Sequence, residues 1–577
     1  MTTTKLGRYW HTLRHLKPVQ FYGRLWFRLY RPPANTSALA PQMRLARGSW
    51  QLPAARAPLM VGPWQFKFLN LEHSLPAQGG WNDATLDKLW LYNLHYFDDL
   101  NARDANQRGA WHQALLERWL LENPPASGNG WEPYPTSLRI VNWAKWLATG
   151  NAAPAGIEQS LATQARWLFQ RLEWHLMGNH LFANAKALVF AGLFFEGAEA
   201  ALWRAKGLKI IERELPEQVL PDGGNFERSP MYHAIFLEDV LDLVNAADNW
   251  PELVPAVQVA QWREVGGRML DWLASMTHPD GQIALFNDAA FGIAPGLQAL
   301  QDYAARLAIE HGLPRFARND EWCGNDERAG IASAAPVIAS EARQSMPAFF
   351  HFPESGYVRL ESNTAVALLD VAPIGPDYLP GHAHADTLSF ELSVFGQRVV
   401  VNGGTSRYGV GPERLRERGT AAHSTVQIAG QDSSEVWGGF RVARRAYPFD
   451  LQVKTEPGRL RVACSHDGYM RLLGTPVHRR EWEMEAGSLR VTDTVRSGTY
   501  PALARYILHP NVHITSAGVH AWQLTLSDGQ SLRVVVEIGH SRIESASYAP
   551  EFGCVLPTHC LTVELTQGHA VVEWAWS

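Results

Sequence analysis

Cysteine is scarce. The chain has four among 577 residues, Cys323, Cys464, Cys554 and Cys560, at spacings that match no zinc motif and build no disulfide framework. Long apolar runs are missing too. The N-terminal stretch MTTTKLGRYWHTLRHLKPVQFYGRLWFRLYRPP is punctuated throughout by Arg and Lys and never opens into the run that a signal peptide or a membrane span requires. It reads as one or two amphipathic, aromatic–basic helices. No membrane is expected as partner, and the expected location is cytoplasmic, or periplasmic or secreted if a leader has been removed. There is no excess of positive charge, since the formal net charge is −5, which argues against nucleic acid as the main partner. Nor is there a repeat clean enough to call from residue identity.

Aromatic residues are abundant: 23 Trp, 16 Tyr and 23 Phe. Such rings stack on the C–H faces of sugars or fill the cores of helical domains. Between Asn402 and Arg445 seven Arg face four acidic residues, either a patch for an anionic substrate or a solvated loop face. A chain of this length exceeds a single core and implies at least two domains.

Two periods divide it. From about Trp90 to His311, stretches such as SLRIVNWAKWLATG and AIFLEDVLDLVNAADNW place apolar residues at i, i+3, i+4 and i+7, the helical pattern. Many helices in succession without strands suggest paired helices in a ring or solenoid. Beyond Pro347 the period becomes two, in segments such as YVRLESNTAVALLDVAP and RREWEMEAGSLRVTDTV, and many short strands imply an antiparallel sandwich. The expected division is an N-terminal segment over 1–60, a helical domain over 61–317, a linker over 318–347 and a β-domain over 348–577.

Four motifs carry candidate chemistry. In GNHLFANAKALVF, Asn179 and His180 stand where a helix begins and can line one concave site, an ordinary cap being the alternative. In NFERSPMYHAIF, Ser229 reads as N-cap and Pro230 as first helical residue, placing Tyr232 in the first turn, where the helix dipole favours phenolate. In GHAHADTLSFEL, His382 and His384 are spaced to share one face of a strand. With His423 they suggest a metal constellation, or one ligand and one catalytic base. Asn402 is the awkward neighbour. It offers a metal only a neutral oxygen, which implies weaker binding or a harder ion such as Mn²⁺ or Ca²⁺.

The order of GNH, ERSPMYH, DGQIALFNDAAFG, GHAHADTLSFEL, VVVNGGTSRYG and AAHSTVQI resembles the heparinase II/III-like superfamily of polysaccharide lyases, over most of the chain from about Tyr92. The resemblance implies an N-terminal (α/α) toroid, an incomplete helical barrel, followed by a C-terminal antiparallel β-sandwich. The cleft between them would bind an anionic uronate polysaccharide and cleave it by β-elimination. Asn179, assisted by His180, would neutralise the substrate carboxylate. Tyr232 would protonate the leaving oxygen and is one candidate base, with His382 the other, on the opposite face of the sugar. His384, Asn402 and His423 would hold a structural divalent ion, Mn²⁺ or Zn²⁺ with Ca²⁺ as a further candidate. Asn402 stands where many members have an aspartate. Tyr134, Arg139, Trp143 and Arg407 would line the cleft, and Asn287 and Asp288 would support it.

Three rivals remain. A cupin-type metalloenzyme would not need the helical domain. A non-catalytic protein of polysaccharide assembly would not need Asn179, Tyr232 and His382. A glycoside hydrolase would need a carboxylate pair, for which Glu227 and Asp239 are candidates. The substrate expected is a glycosaminoglycan, such as heparan sulfate, chondroitin sulfate or hyaluronan, with alginate or another exopolysaccharide second.

Overall fold

The computed structural model describes residues 5–44, 48, 50–312 and 348–577; the expected linker over 318–347 and Cys323 lie outside the described residues. Two helices, Lys5–Leu13 and Pro18–Leu29, open the chain. Three strands of three or four residues, Met60–Gly62, Gln65–Phe68 and Leu71–Ser74, then form a small antiparallel sheet. It lies at the start of the expected helical domain, ahead of the helical pattern that begins near Trp90, where strands this short leave no legible period.

Helices follow from Lys88–Tyr96 to Leu297–Arg306 and pack pairwise into an incomplete (α/α) toroid. Gly178–Phe194 lies between Pro133–Ala148 and Gly197–Gln218, and Pro230–Asn249 packs on Ala256–Ser275. Gly178–Phe194 is buried along almost its whole length, so its sequence is apolar all round rather than striped. Gly207 lets Gly197–Gln218 approach it closely, since a Cβ there would stand 2.6 Å from the Ala185 carbonyl oxygen.

The C-terminal half is a sandwich of a nine-stranded and an eight-stranded sheet, antiparallel throughout its strand ladders. The two sheets bury differently. Strands Ala365–Asp370 and Phe390–Val394, central in the first, are buried on both faces. Ala367 and Leu369 point into the core between the sheets, whereas Val366 and Leu368 meet Trp272, Met276 and Phe286 of the helical domain. The outer sheet is solvated on one face, and Val477–Glu485 alternates accordingly. This is why some strands read as apolar runs and others as alternations.

The two domains are also joined by polar contacts. The His278 ring reaches the Glu391 carboxylate at 2.9 Å and the Ser393 hydroxyl at 2.8 Å. Arg398 bridges Glu391 at 3.1 Å and Asp280 at 2.7 Å. The backbone N–H groups of Leu285 and Asn402 both donate to Glu391 at 3.1 Å. Every one of these buried polar groups therefore has a partner.

Histidines are buried in both domains. In the sandwich, His466 contacts His478 at 3.2 Å, and His478 donates to Asp493 at 2.7 Å, with Arg480 on the same carboxylate. Burial pushes the His95 and His233 rings down to about 3 and His278 to about 4, and lowers His466 and His478 as well, against an ordinary value of 6.5. These rings are neutral when folded, while the unfolded chain takes up protons below about pH 6.5. Their contribution is thus complete above that pH and lost as pH falls toward 4. Calorimetric melting temperatures are expected to be flat above about pH 6.5 and to fall steadily below it; no fall down to about pH 4.5 would contradict these assignments.

Candidate active site

Three strained turns build the site. Met177 and Gly178 have φ of 62° and 52°, and a Cβ on Gly178 would stand 2.6 Å from Leu379 Cδ2; this explains the glycine of GNH. The turn delivers Asn179 and His180, half-buried, at the start of Gly178–Phe194. Arg228, with φ 57°, precedes the helix Pro230–Asn249, whose N-cap Ser229 accepts the Tyr232 N–H at 3.2 Å. Asn287, with φ 56°, ends the arm that crosses from the toroid to the sandwich. Left-handed backbone at non-glycine residues is costly and persists where the surroundings enforce it.

Asp288, the residue after Asn287, is the hub. Its buried carboxylate takes both ends of the Arg414 guanidinium, one at 2.6 Å. It also accepts from His382 Nδ1 at 2.9 Å and His384 Nε2 at 2.8 Å. Its carbonyl oxygen accepts the Ser229 hydroxyl at 2.5 Å, and its N–H donates to the His382 carbonyl at 2.9 Å. Burial alone would raise its pKa, but Arg414 and the two histidines hold it well below the usual carboxylate range. A carboxylate only accepts, so His382 carries a proton on Nδ1, and in the neutral ring the lone pair is at Nε2. The two histidines lie in a loop ahead of strand Phe390–Val394, not in a strand as their spacing suggested. They converge through a shared anion.

Tyr232 lies against His382, ring centroids 3.8 Å apart, and its hydroxyl meets that of Tyr408 at 2.8 Å. No sugar ring fits between rings that close, so both residues reach the cleft from one wall, and His382 does not stand on the far side of a substrate from Tyr232. The helix dipole does not produce a phenolate either. Burial, then the proximity of Tyr408 and Asp288, pushes Tyr232 well above the ordinary phenol range, leaving it a neutral proton donor.

Glu227 joins the two halves of the site. It is buried and accepts the Asn179 backbone N–H, and its Oε2 lies 3.6 Å from His382 Nε2. Burial raises its pKa. His180 contacts Glu173 at 3.2 Å and its ring lies 4.5 Å from that of Tyr134. Burial is the largest single influence and lowers the His180 pKa, but Glu173, by charge and hydrogen bond, together with Glu227 and Glu132 raises it on balance.

Arg139 and Trp143 do not belong here. Both are fully buried in the toroid. Arg139 donates to Gln164 at 2.9 Å and lies 4.1 Å from the Trp119 ring, so a substrate contact is corrected to a core role. Arg407 is exposed, 4.0 Å from Glu413. The basic stretch around it is largely spent internally. Arg414 serves Asp288 and Arg418 donates to the Ala383 carbonyl. Arg444 pairs with Glu435 and Arg445 with Asp377. Asp239 is held by Lys186 at 2.6 Å, which leaves the glycosidase reading without its second free carboxylate.

The expected metal ligands His384, Asn402 and His423 are brought together. His384 Nδ1 meets His423 Nε2 at 3.3 Å, and Asn402 Oδ1 meets the opposite nitrogen, His423 Nδ1, also at 3.3 Å. Asn402 Oδ1 also accepts the Ser424 N–H at 3.2 Å. It thus orients His423 rather than standing beside the two facing nitrogens. Among the described residues no group of three or more His, Cys, Asp or Glu is placed to hold a metal ion. Because Nε2 of His384 donates to Asp288 and Nδ1 of His423 donates to Asn402, the two facing nitrogens both present lone pairs, the donor type that a divalent ion takes.

Tyr408, Arg414 and Glu227 are the residues that sequence reasoning missed in these roles. Tyr408 stands in TSRYG beside Arg407, Arg414 was one arginine among seven, and Glu227 opens ERSPMY. Nothing in their spacing separates a site residue from a surface one.

Residues 345–575 match the family model described as heparinase II/III-like, C-terminal, and residues 153–304 match that of the heparinase II/III N-terminus. Heparin-sulfate lyases of Bacteroides stercoris and Pedobacter heparinus are each 27% identical to the chain, over 311 and 268 residues. These matches cover 52% and 44% of this chain and 43% and 36% of the relatives, so less than half the length of either is matched. A crystal structure of heparinase III superposes with TM-score 0.67 at 16% identity, covering 100% of this chain and 92% of that one. Heparan sulfate lyase HepC of Pedobacter heparinus superposes with TM-score 0.56 at 17% identity, covering 96% and 87%. Both likenesses show the toroid-plus-sandwich fold.

One outcome tests this geometry. Asp288→Asn is expected to destabilise the protein by about 3–5 kcal/mol in chemical denaturation, because Arg414 loses a buried counter-charge.

Proposed function

Because the chain belongs to the heparinase II/III-like family, we propose that it is a polysaccharide lyase that cleaves a uronate-containing glycosaminoglycan by β-elimination. The observation that carries this reading is the Asp288–His382 pair, which holds Nδ1 as the protonated nitrogen and leaves Nε2 for the base, beside the neutral phenol of Tyr232. His382 Nε2 takes the proton from C5 of the uronate. The C5–H electrons form the C4=C5 double bond, the C4–O4 bond breaks, and the departing O4 takes the Tyr232 hydroxyl proton. Tyr408, hydrogen-bonded to Tyr232, supplies the route by which that proton is replaced. Asp288 stabilises the imidazolium formed, as a carboxylate does behind a histidine base.

The C5 proton becomes acidic enough only when the adjacent carboxylate is neutralised. Asn179 and His180, at the start of Gly178–Phe194, are the donors for that task, since both the side chains and the positive end of the helix dipole suit an anion. Glu227, with its raised pKa and its place between Asn179 and His382, is a further partner for the same carboxylate in its protonated form. Tyr134 stacks on His180 and extends this wall. Arg407, exposed beside Tyr408, is the cation left for a flanking acidic group. Since most arginines nearby are committed internally, the cleft suits a lightly sulfated chain, and an unsulfated polyuronate such as alginate is the second reading. No step here passes through a metal.

The direct test is ultraviolet absorbance of the conjugated unsaturated uronate, on heparan sulfate, hyaluronan, chondroitin sulfate and alginate. A rise is expected, larger on chains of low sulfation; a flat trace on all four from folded protein would contradict the reading. Tyr232→Phe and His382→Ala are each expected to lower kcat by about 10²–10⁴-fold, the usual worth of a positioned acid or base, Tyr232→Phe with unchanged melting temperature and His382→Ala with a lowered one, since Asp288 loses a partner. Wild-type turnover in either variant would remove that residue from the reaction.

A further inference from the structure

The two N-terminal helices are mounted inside out. On Pro18–Leu29 the inward face carries Gln20, Gly23 and Phe27. Gln20 donates to the Tyr378 carbonyl at 3.0 Å, a Cβ on Gly23 would lie 3.0 Å from that of His175, and the Phe27 ring lies 4.5 Å from the His175 ring. The apolar stripe Phe21, Tyr22, Leu25, Trp26 and Leu29 points the other way, into solvent, with Trp26 62% and Leu29 72% exposed. Lys5–Leu13 repeats the arrangement. Thr12 faces inward, bonded to the Val442 carbonyl at 3.2 Å and to Trp437 Nε1 at 3.1 Å. Leu6, Tyr9, Trp10 and Leu13 are exposed, Leu6 by 80%. A soluble helix normally buries such a stripe, and contiguous apolar surface rimmed by polar residues marks an interaction site.

The charges carried by the two helices themselves are of one sign. Lys5, Arg8, Arg14, Arg24, Arg28 and Arg31 are exposed on or beside these helices. Eleven Lys or Arg precede the first acidic residue of the chain, Glu72, although the whole protein has a net charge of −5. We propose that this helix pair docks the protein on the surface of an anionic lipid bilayer, with the aromatic and leucine stripe in the interface and the cations at the headgroups. A second copy of the chain fits poorly, because it would bring one pair of basic helices against another. A hydrated acidic polysaccharide offers nothing for the leucines to bury against. The expectation of no membrane partner rested on the lack of a spanning segment. Indeed no helix among the described residues is long and apolar enough to cross a membrane, but an interfacial helix does not need to cross.

Docking would also place the cleft. Lys5–Leu13 rests on the hairpin Val436–Val442, whose Phe440 ring lies 6.2 Å from that of His382 and whose Gly439 carbonyl accepts from Arg414. Pro18–Leu29 rests on the loop that carries Tyr378 and Leu379, the latter against Gly178. The membrane face and the candidate active site thus share their supports.

The test is co-sedimentation of the full chain with vesicles of phosphatidylcholine, with and without phosphatidylglycerol. Partition onto the anionic vesicles is expected to be at least about tenfold higher and to fall with added salt. The double variants Trp10→Glu with Trp26→Glu, and Arg24→Glu with Arg28→Glu, are each expected to lose it, with the wild-type melting temperature and unchanged turnover of soluble substrate. Equal partition onto both vesicle types would overturn the proposal. So would a solution dimer dissolved by the tryptophan variant, or retention on a heparin resin that the arginine variant loses without any vesicle binding. The readout does not depend on catalysis, so it stands or falls separately from the lyase reading.

Discussion

A single buried carboxylate organises the junction of the two domains. Asp288 sits at the end of an arm from the toroid, yet the partners of its carboxylate, His382, His384, Arg414 and Thr405, belong to the sandwich half. A charge in a dry interior is tolerable only when paired and fully hydrogen-bonded, and here both carboxylate oxygens are saturated. The same contacts that solve the burial problem fix the His382 tautomer, its orientation and its position beside Tyr232. Stability and the chemistry proposed for the site therefore rest on one set of bonds, and a change at Asp288 strikes both.

The sheet that carries the histidine loop is buried on both faces, with the second sheet on one side and Trp272, Met276 and Phe286 of the toroid on the other. Glu391, inside that sheet, ties His278 and the arm at Leu285 to Asn402. The strained residues Met177, Arg228 and Asn287 lie at the ends of the elements that deliver the site. Cross-domain packing of this kind is what holds left-handed backbone in place at non-glycine positions.

Much of this was legible in the sequence. The switch from a helical to a two-residue period separates toroid from sandwich, and Ser229–Pro230 announces the helix that bears Tyr232. The motifs GNH, ERSPMY and GHAHAD name residues that the fold gathers around one cleft. What was not legible depends on long-range partners. Arg139 and Arg407 look alike as letters, but one is a core side chain bound to Gln164 and the other is exposed. The local dipole at Tyr232 was readable, whereas the burial that outweighs it was not. The His-x-His spacing suggested a strand, whereas the two rings lie in a loop and converge on Asp288, about a hundred residues earlier in the chain. The amphipathic N-terminal helices were readable too, but only the fold shows which face they turn outward.

The account turns on the protonation geometry of His382, which can be observed without knowing the substrate. Nitrogen-15 NMR of histidine-labelled protein, with His382→Gln identifying the resonances, reports which ring nitrogen carries the proton. The account predicts a hydrogen-bonded proton on Nδ1 and a bare Nε2 at neutral pH. A proton on Nε2, with Nδ1 bare, would break the link from Asp288 to the base and contradict it.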